Sequence, residues 1–131
     1  SAAFESNRGS LPWPVAQGSI TESFGRHREG QASYDNAGIT IATAAGANVR
    51  AVFGGKVQRV MNNLGTYFVL IKHGEYFSAY QDLTSVSVSA GETVTTKQSI
   101  GVVANTGDIP ELQFQIWRGM VPQNPAAWIA K

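Results

Sequence analysis

Glu111-Leu112-Gln113-Phe114-Gln115-Ile116-Trp117-Arg118 alternates polar and apolar side chains through most of its length. A period of two is the mark of a strand with one face buried. Leu112, Phe114 and Ile116 are expected to face a core, and Glu111, Gln113 and Gln115 the opposite side. Shorter runs rich in β-branched and aromatic residues precede it: Ser19–Phe24, Gly38–Ala42, Asn48–Phe53, Lys56–Met61, Tyr67–His73, Tyr76–Leu83 and Ser99–Ala104. Gly54-Gly55, Asn62-Asn63, Gly65, His73-Gly74 and Gly107-Asp108 punctuate them as turns. No ten-residue segment carries a helical period. The pattern predicts an all-β sandwich or barrel. One helical turn is expected near the end, with Asn124 as N-cap and Pro125 at the first helical position.

The chain has 131 residues, which fits one domain. Residues 1–10 are small and polar and read as a flexible lead-in. Leu11-Pro12-Trp13-Pro14 cannot be helix interior and reads as an extended segment at the start of a domain over 11–131. Ala45-Gly46-Ala47-Asn48-Val49 and Ala90-Gly91-Glu92-Thr93-Val94 share a spacing that fits two similar hairpin layers. A charged fraction of 15% with 43% hydrophobic residues excludes a disordered chain. A net charge of +1 gives no general pull toward nucleic acid or an anionic membrane. No run reaches the ~20 apolar residues of a membrane-spanning helix, and no signal peptide is visible. With no cysteine, thiolate metal sites, disulfides and cysteine nucleophiles are out. Two histidines, His27 and His73, are few for a catalytic zinc centre.

Three segments taken together carry a family likeness. The first runs from Phe24-Gly25 through Asn36-Ala37-Gly38-Ile39-Thr40-Ile41 to Gly46, Val49, Ala51, Gly54-Gly55 and Val57. The second is Ile71-Lys72-His73-Gly74 with Tyr80, Asp82 and Leu83. The third spans Val88, Gly91, Val94, Gln98 and Ile100-Gly101, and ends in Glu111–Ile116. Over about residues 11–131 this order resembles the LytM/lysostaphin-type zinc metallopeptidase domain, metallopeptidase family 23. The resemblance implies a two-layer barrel-sandwich, the duplicated hybrid motif, with an open groove.

It also implies which positions would carry the chemistry. In active members a His and an Asp bind zinc where this chain has Asn36 and Thr40. A His-x-His motif supplies a catalytic His and the third ligand where this chain has Glu111 and Gln113. A further catalytic His falls where this chain has Asp82. Neutral amides and a hydroxyl are weak zinc ligands, and without the ion no water is acidified toward neutral pH. Asp82 and Glu111 would suit a harder cation such as calcium or magnesium, and that weakly. No metal, cofactor or catalytic residue is therefore expected. Alternation within Tyr76–Leu83 predicts that Tyr76, Ser78, Tyr80 and Asp82 share the groove face. Tyr80, Asp82, Glu111 and Gln113 are the expected partner-binding residues. His73 reads as a turn residue, Arg26-His27-Arg28-Glu29-Gly30 as a solvated loop, and Trp117 and Trp128 as packing anchors.

The sequence looks most like the degenerate subgroup of EnvC/NlpD-like murein hydrolase activators. That likeness implies a non-catalytic regulator of a periplasmic N-acetylmuramoyl-L-alanine amidase in cell separation, placed in the periplasm or cell envelope and monomeric as an isolated domain. A passive peptidoglycan-binding module is the alternative, and a zinc endopeptidase with an unusual site is the third reading. A lipoyl-type carrier is set aside, because the residues around Lys56 match no carrier motif. Asp82 and Glu111 as a glycosidase acid pair rank low, since nothing in the sequence fixes their separation.

Overall fold

The computed structural model describes residues 2–105 and 107–131. A short helix, α1 (Ala2–Ser6), precedes twelve strands: β1 (Ser19–Glu22), β2 (Gly25–Glu29), β3 (Ala32–Asn36), β4 (Ile39–Ala42), β5 (Asn48–Arg50), β6 (Gly55–Asn63), β7 (Thr66–His73), β8 (Tyr76–Val86), β9 (Thr93–Val94), β10 (Ser99–Val103), β11 (Glu111–Arg118) and β12 (Val121–Gln123). The main antiparallel sheet runs β1-β4-β11-β8-β7-β6-β9, with β12 beside the end of β11. The C-terminal part of β8 leaves this order to pair with β10, which pairs in turn with β5. β2 and β3 form a separate hairpin. The fold is all-β, as the strand pattern predicts. Among the described residues no helix is long and apolar enough to cross a membrane.

The alternation in β11 holds. Leu112, Phe114 and Ile116 are fully buried, and Glu111, Gln113 and Gln115 are half-buried on the other side. Ile39 and Ile41 in β4 do the same around Thr40. Gly38 makes the β4–β11 approach possible, because a Cβ there would run into the Phe114 carbonyl and the Gln115 side chain.

β8 departs from expectation. Tyr76, Ser78 and Tyr80 point into the core, and Tyr80 is fully buried. The register explains it: Gln113 lies opposite Gln81 and Gln115 opposite Ala79, so Phe77, Ala79 and Gln81 continue the face of the β11 glutamines. Asp82 rejoins that side because the strand bulges there. The pairing with β7 skips it, and its φ is +71°.

The buried polar atoms of β8 form a directed chain. Val52 N–H donates to Tyr80 Oη (3.0 Å), Tyr80 O–H to Ser78 Oγ (2.9 Å), and Ser78 bonds His73 Nε2 at 2.8 Å. His73 Nδ1 lies 2.8 Å from the Gly54 carbonyl, which only accepts. Nδ1 therefore carries the proton and Nε2 accepts from Ser78. Burial pushes the Tyr80 hydroxyl up to about 12. His73 is thus a core residue that fixes the loop before β6.

Residues 2–10 are not a frayed lead-in. Phe4 is fully buried, stacked on His73 (ring centroids 4.6 Å apart) and packed on Tyr76, Trp128 and Phe53. Glu5 accepts a hydrogen bond from Tyr76 Oη. One aromatic in a polar stretch has no period to announce it. The extended Leu11–Pro14 segment is pinned as expected: Leu11 bridges to Ile129, and Trp13 Nε1 donates to the Ala130 carbonyl at 2.7 Å. At the other end Asn124 caps a 3₁₀ turn over Pro125–Ala127 by accepting from Ala126 N–H.

Two outcomes follow. Phe114→Ala should destabilise the domain by about 3–5 kcal/mol in urea unfolding. An unchanged unfolding midpoint would refute its core role. Burial also pulls the His73 ring down from 6.5 to about 4. The unfolded chain then takes up this proton first as pH falls. The contribution is fully present above pH 6.5 and declines toward pH 4, by roughly 3 kcal/mol. The same titration of His73→Gln should lack this slope, and parallel curves for the two proteins would contradict the assignment.

Candidate functional site

The residues expected at the groove fall into two groups. Asn36 ends β3, Thr40 is central in β4 and Gln113 lies opposite Thr40 in β11. Their side chains bond one another. Thr40 Oγ1 donates to Gln113 Oε1 at 3.1 Å, and Gln113 Nε2 donates to Asn36 Oδ1 at 2.7 Å. Gly38 N–H also donates to Asn36 Oδ1, at 3.1 Å, which fixes the orientation of that amide. Asn36 Nδ2 is buried and has no hydrogen-bond partner among the described residues.

The second group is acidic. Glu111, opposite Ala42 at the start of β11, accepts from Thr21 Oγ1 at 3.1 Å. Asp82 sits at the β8 bulge with its side chain on the open face. Partial burial, with a smaller contribution from Glu111, holds the Asp82 carboxyl above the usual carboxylate range. The bulge therefore brings these two carboxylates within electrostatic reach.

Tyr80, expected among these residues, is not there. It lies in the core beneath the groove and contacts Phe114 (centroids 5.4 Å). His73 is held in the core by Ser78 and the Gly54 carbonyl. His27 is in β2 rather than in a loop, stacked on Tyr34 and bonded to the Ser23 carbonyl at 2.7 Å. Arg26 pairs with Asp35 across the same hairpin at 3.3 Å, an exposed pair of little energetic weight.

Two contiguous recesses open on this face and share Phe68 and Gln81. One, of about 500 Å³, is an apolar trough lined by Phe68, Leu70, Phe77, Ala79, Trp117 and Met120, with Gln81 and Gln115 among its polar groups. The other, of about 290 Å³, runs from Asp82 to the tip of the β6–β7 hairpin. Sequence reading missed the trough because it needs the β8–β11 register, which no local pattern states. Trp117, expected as a packing anchor, is a half-buried wall of it.

The model of peptidase family M23 matches residues 34–125. The chain belongs to peptidase family M23. An uncharacterized protein of Haemophilus influenzae is 39% identical over 121 residues, 88% of this chain and 28% of that protein. The murein hydrolase activator NlpD of Escherichia coli is 34% identical over 79% of this chain and 27% of its own length. The cell division protein DipM of Caulobacter vibrioides is 31% identical over 85% of this chain and 18% of its own. The M23 domain thus spans under a third of each of these relatives. Among solved structures, Helicobacter pylori Csd3 superposes with a TM-score of 0.81 at 24% identity, over 93% of this chain and 35% of that one. A zinc-containing peptidase from Vibrio cholerae gives 0.80 at 24% identity, over 95% and 41%. These two likenesses establish the shared fold.

Zinc, which the family implies, does not fit here. At the positions where the resemblance expects its ligands, Asn36, Thr40 and Gln113 offer two amides and a hydroxyl already engaged with one another. Among the described residues no group of three or more His, Asp or Glu side chains is placed to hold a metal. Glu111→Gln should lower the Asp82 pKa while leaving it above that of a free carboxylate, because burial is the larger cause. Carboxyl NMR titration of both proteins checks this, and an unmoved Asp82 would break the proposed coupling.

Proposed function

We propose that this M23 domain is a non-catalytic regulator. It activates a peptidoglycan-cleaving N-acetylmuramoyl-L-alanine amidase during cell-wall remodelling and cell separation, and works in the periplasm or at the cell envelope. The observation that carries the reading is the hydrogen-bonded set Asn36–Gln113–Thr40. Where the resemblance expects a metal, this set supports the reading with neutral groups that bond one another below an open groove. Likeness to a relative named murein hydrolase activator and to another named cell division protein supports the same reading.

A regulator needs shape and satisfied polar contacts, and this face supplies both. The apolar trough offers area to exclude water, Asp82 lines the recess contiguous with it, and Glu111 and Gln113 continue the β11 face that carries Gln115. These three residues, without Tyr80, are the proposed partner contacts.

The test is dye release from labelled peptidoglycan by the domain with zinc, by each periplasmic amidase of the source organism alone, and by the two together. Stimulation is expected only in the mixture. Alanine at Asp82, Glu111 and Gln113 together should reduce it at least tenfold with folding intact. Release by the domain alone, or zinc near one per chain by elemental analysis, would overturn the non-catalytic reading. Sedimentation with peptidoglycan but no stimulation of a demonstrably active amidase would favour a passive wall-binding module.

A further inference from the structure

The β6–β7 hairpin closes with two residues, Leu64 and Gly65, between the paired Asn63 and Thr66. Both have positive φ, +55° and +94°. That is the geometry of a primed hairpin turn, whose first central position favours Asn, Asp or Gly. A leucine in the left-handed region is unfavourable, because its Cβ crowds the backbone. Leu64 is also 100% exposed. It therefore aids neither the turn nor the core, and the hairpin holds an apolar side chain out in water on an unfavourable backbone.

Its surroundings describe what it meets. Met61, 44% exposed, lies on the same hairpin. Below the tip, the recess that ends at Asp82 is walled by Tyr67, Phe68, Thr66 and Gln81. It runs on into the apolar trough through Phe68 and Gln81. The Arg59 guanidinium lies against Met61 Sδ at 3.9 Å, and Met61 and Asp82 line the same recess. Anionic membrane surfaces select clusters of cations beside apolar side chains, and no Lys or Arg is among the described residues that line this recess. A protein surface with an apolar pocket and a basic flank is its complement.

We propose that Leu64 is an anchor side chain for the protein partner. It enters an apolar pocket on the amidase, while the recess beneath receives the flank of that pocket with a basic residue turned toward Asp82. This rests on the activator reading and extends the contact surface from the groove floor to the hairpin tip.

Leu64→Asn separates binding from folding, because the turn prefers Asn. The variant should melt at the same temperature as the parent or higher. The concentration of domain giving half-maximal amidase stimulation should rise about tenfold or more, the scale of a lost anchor. Leu64→Gly should behave alike, and Leu64→Met should keep most of the stimulation. Equal stimulation by Leu64→Asn and the parent would overturn the anchor and leave the activator reading standing. No stimulation by the parent would overturn the activator reading and the anchor with it. Flotation with vesicles of phosphatidylethanolamine and phosphatidylglycerol that depends on Leu64 would overturn the choice of a protein partner.

Discussion

The register between β8 and β11, with Gln113 opposite Gln81 and Phe114 opposite Tyr80, decides which side chains this domain buries and which it displays. Side chains alternate across a strand, so one pairing fixes both faces. Phe114 and Tyr80 meet inside, and the glutamines line the groove with Ala79 and Phe77. A slip of one residue would put Gln113 into the core and Phe114 into water. Gly38 secures the other side of β11, because the backbone contact there leaves no room for a side chain. The groove is thus the back of the core, and its shape is as well determined as the packing beneath it.

The core is not purely apolar, and its polar chain has an architectural role. It begins at Val52 N–H and ends at the Gly54 carbonyl, so both ends lie on the loop between β5 and β6. Tyr80, Ser78 and His73 carry it from strand to strand. Each hydroxyl donates once and accepts once, and the imidazole does the same. A buried network satisfied in this way specifies one arrangement, whereas a half-satisfied one would be costly. Gly55 follows from it, since a Cβ there would collide with His73 Nδ1 and the Lys72 carbonyl. Phe4 then closes over the imidazole from outside, which is why a segment of no evident pattern becomes part of the domain.

Where the sequence was legible, the signal was local. The alternation of β11 and β4, the Asn124-Pro125 cap and the pinned Leu11–Pro14 segment can all be read without knowing what lies across the sheet. The family resemblance singled out Asn36, Thr40 and Gln113, and the structure brings these three side chains together. Strict alternation within Tyr76–Leu83 puts Tyr80 and Asp82 on one face, and β8 is not strictly alternating. The bulge at Asp82 shifts the parity, so Tyr80 moves from groove to core. The apolar trough was illegible because it depends on register. The hairpin tip was illegible because Asn62-Asn63-Leu64-Gly65 does not state which pair forms the turn, and Asn63 is the commoner choice for the position that Leu64 takes.

Asn36, Thr40 and Gln113, the residues where the resemblance expects metal ligands, make physical sense only as a set. Ligands of a zinc ion converge on a point about 2 Å from each, so their side chains are crowded by design. Removing the ion from His and Asp would leave a carboxylate and imidazoles pressed together with nothing to organise them. Here the three side chains are joined in a series in which Thr40 donates to Gln113 and Gln113 donates to Asn36, with Asn36 Nδ2 left over. It carries no net charge and holds without a counter-ion. Histidine at 113 alone would remove the amide pair that lets one residue accept from Thr40 and donate to Asn36, and would supply one ligand of three. Each single reversion therefore loses hydrogen bonds before it gains a metal site. The groove floor is thus held by hydrogen bonds among its own side chains, and the surface above it is open.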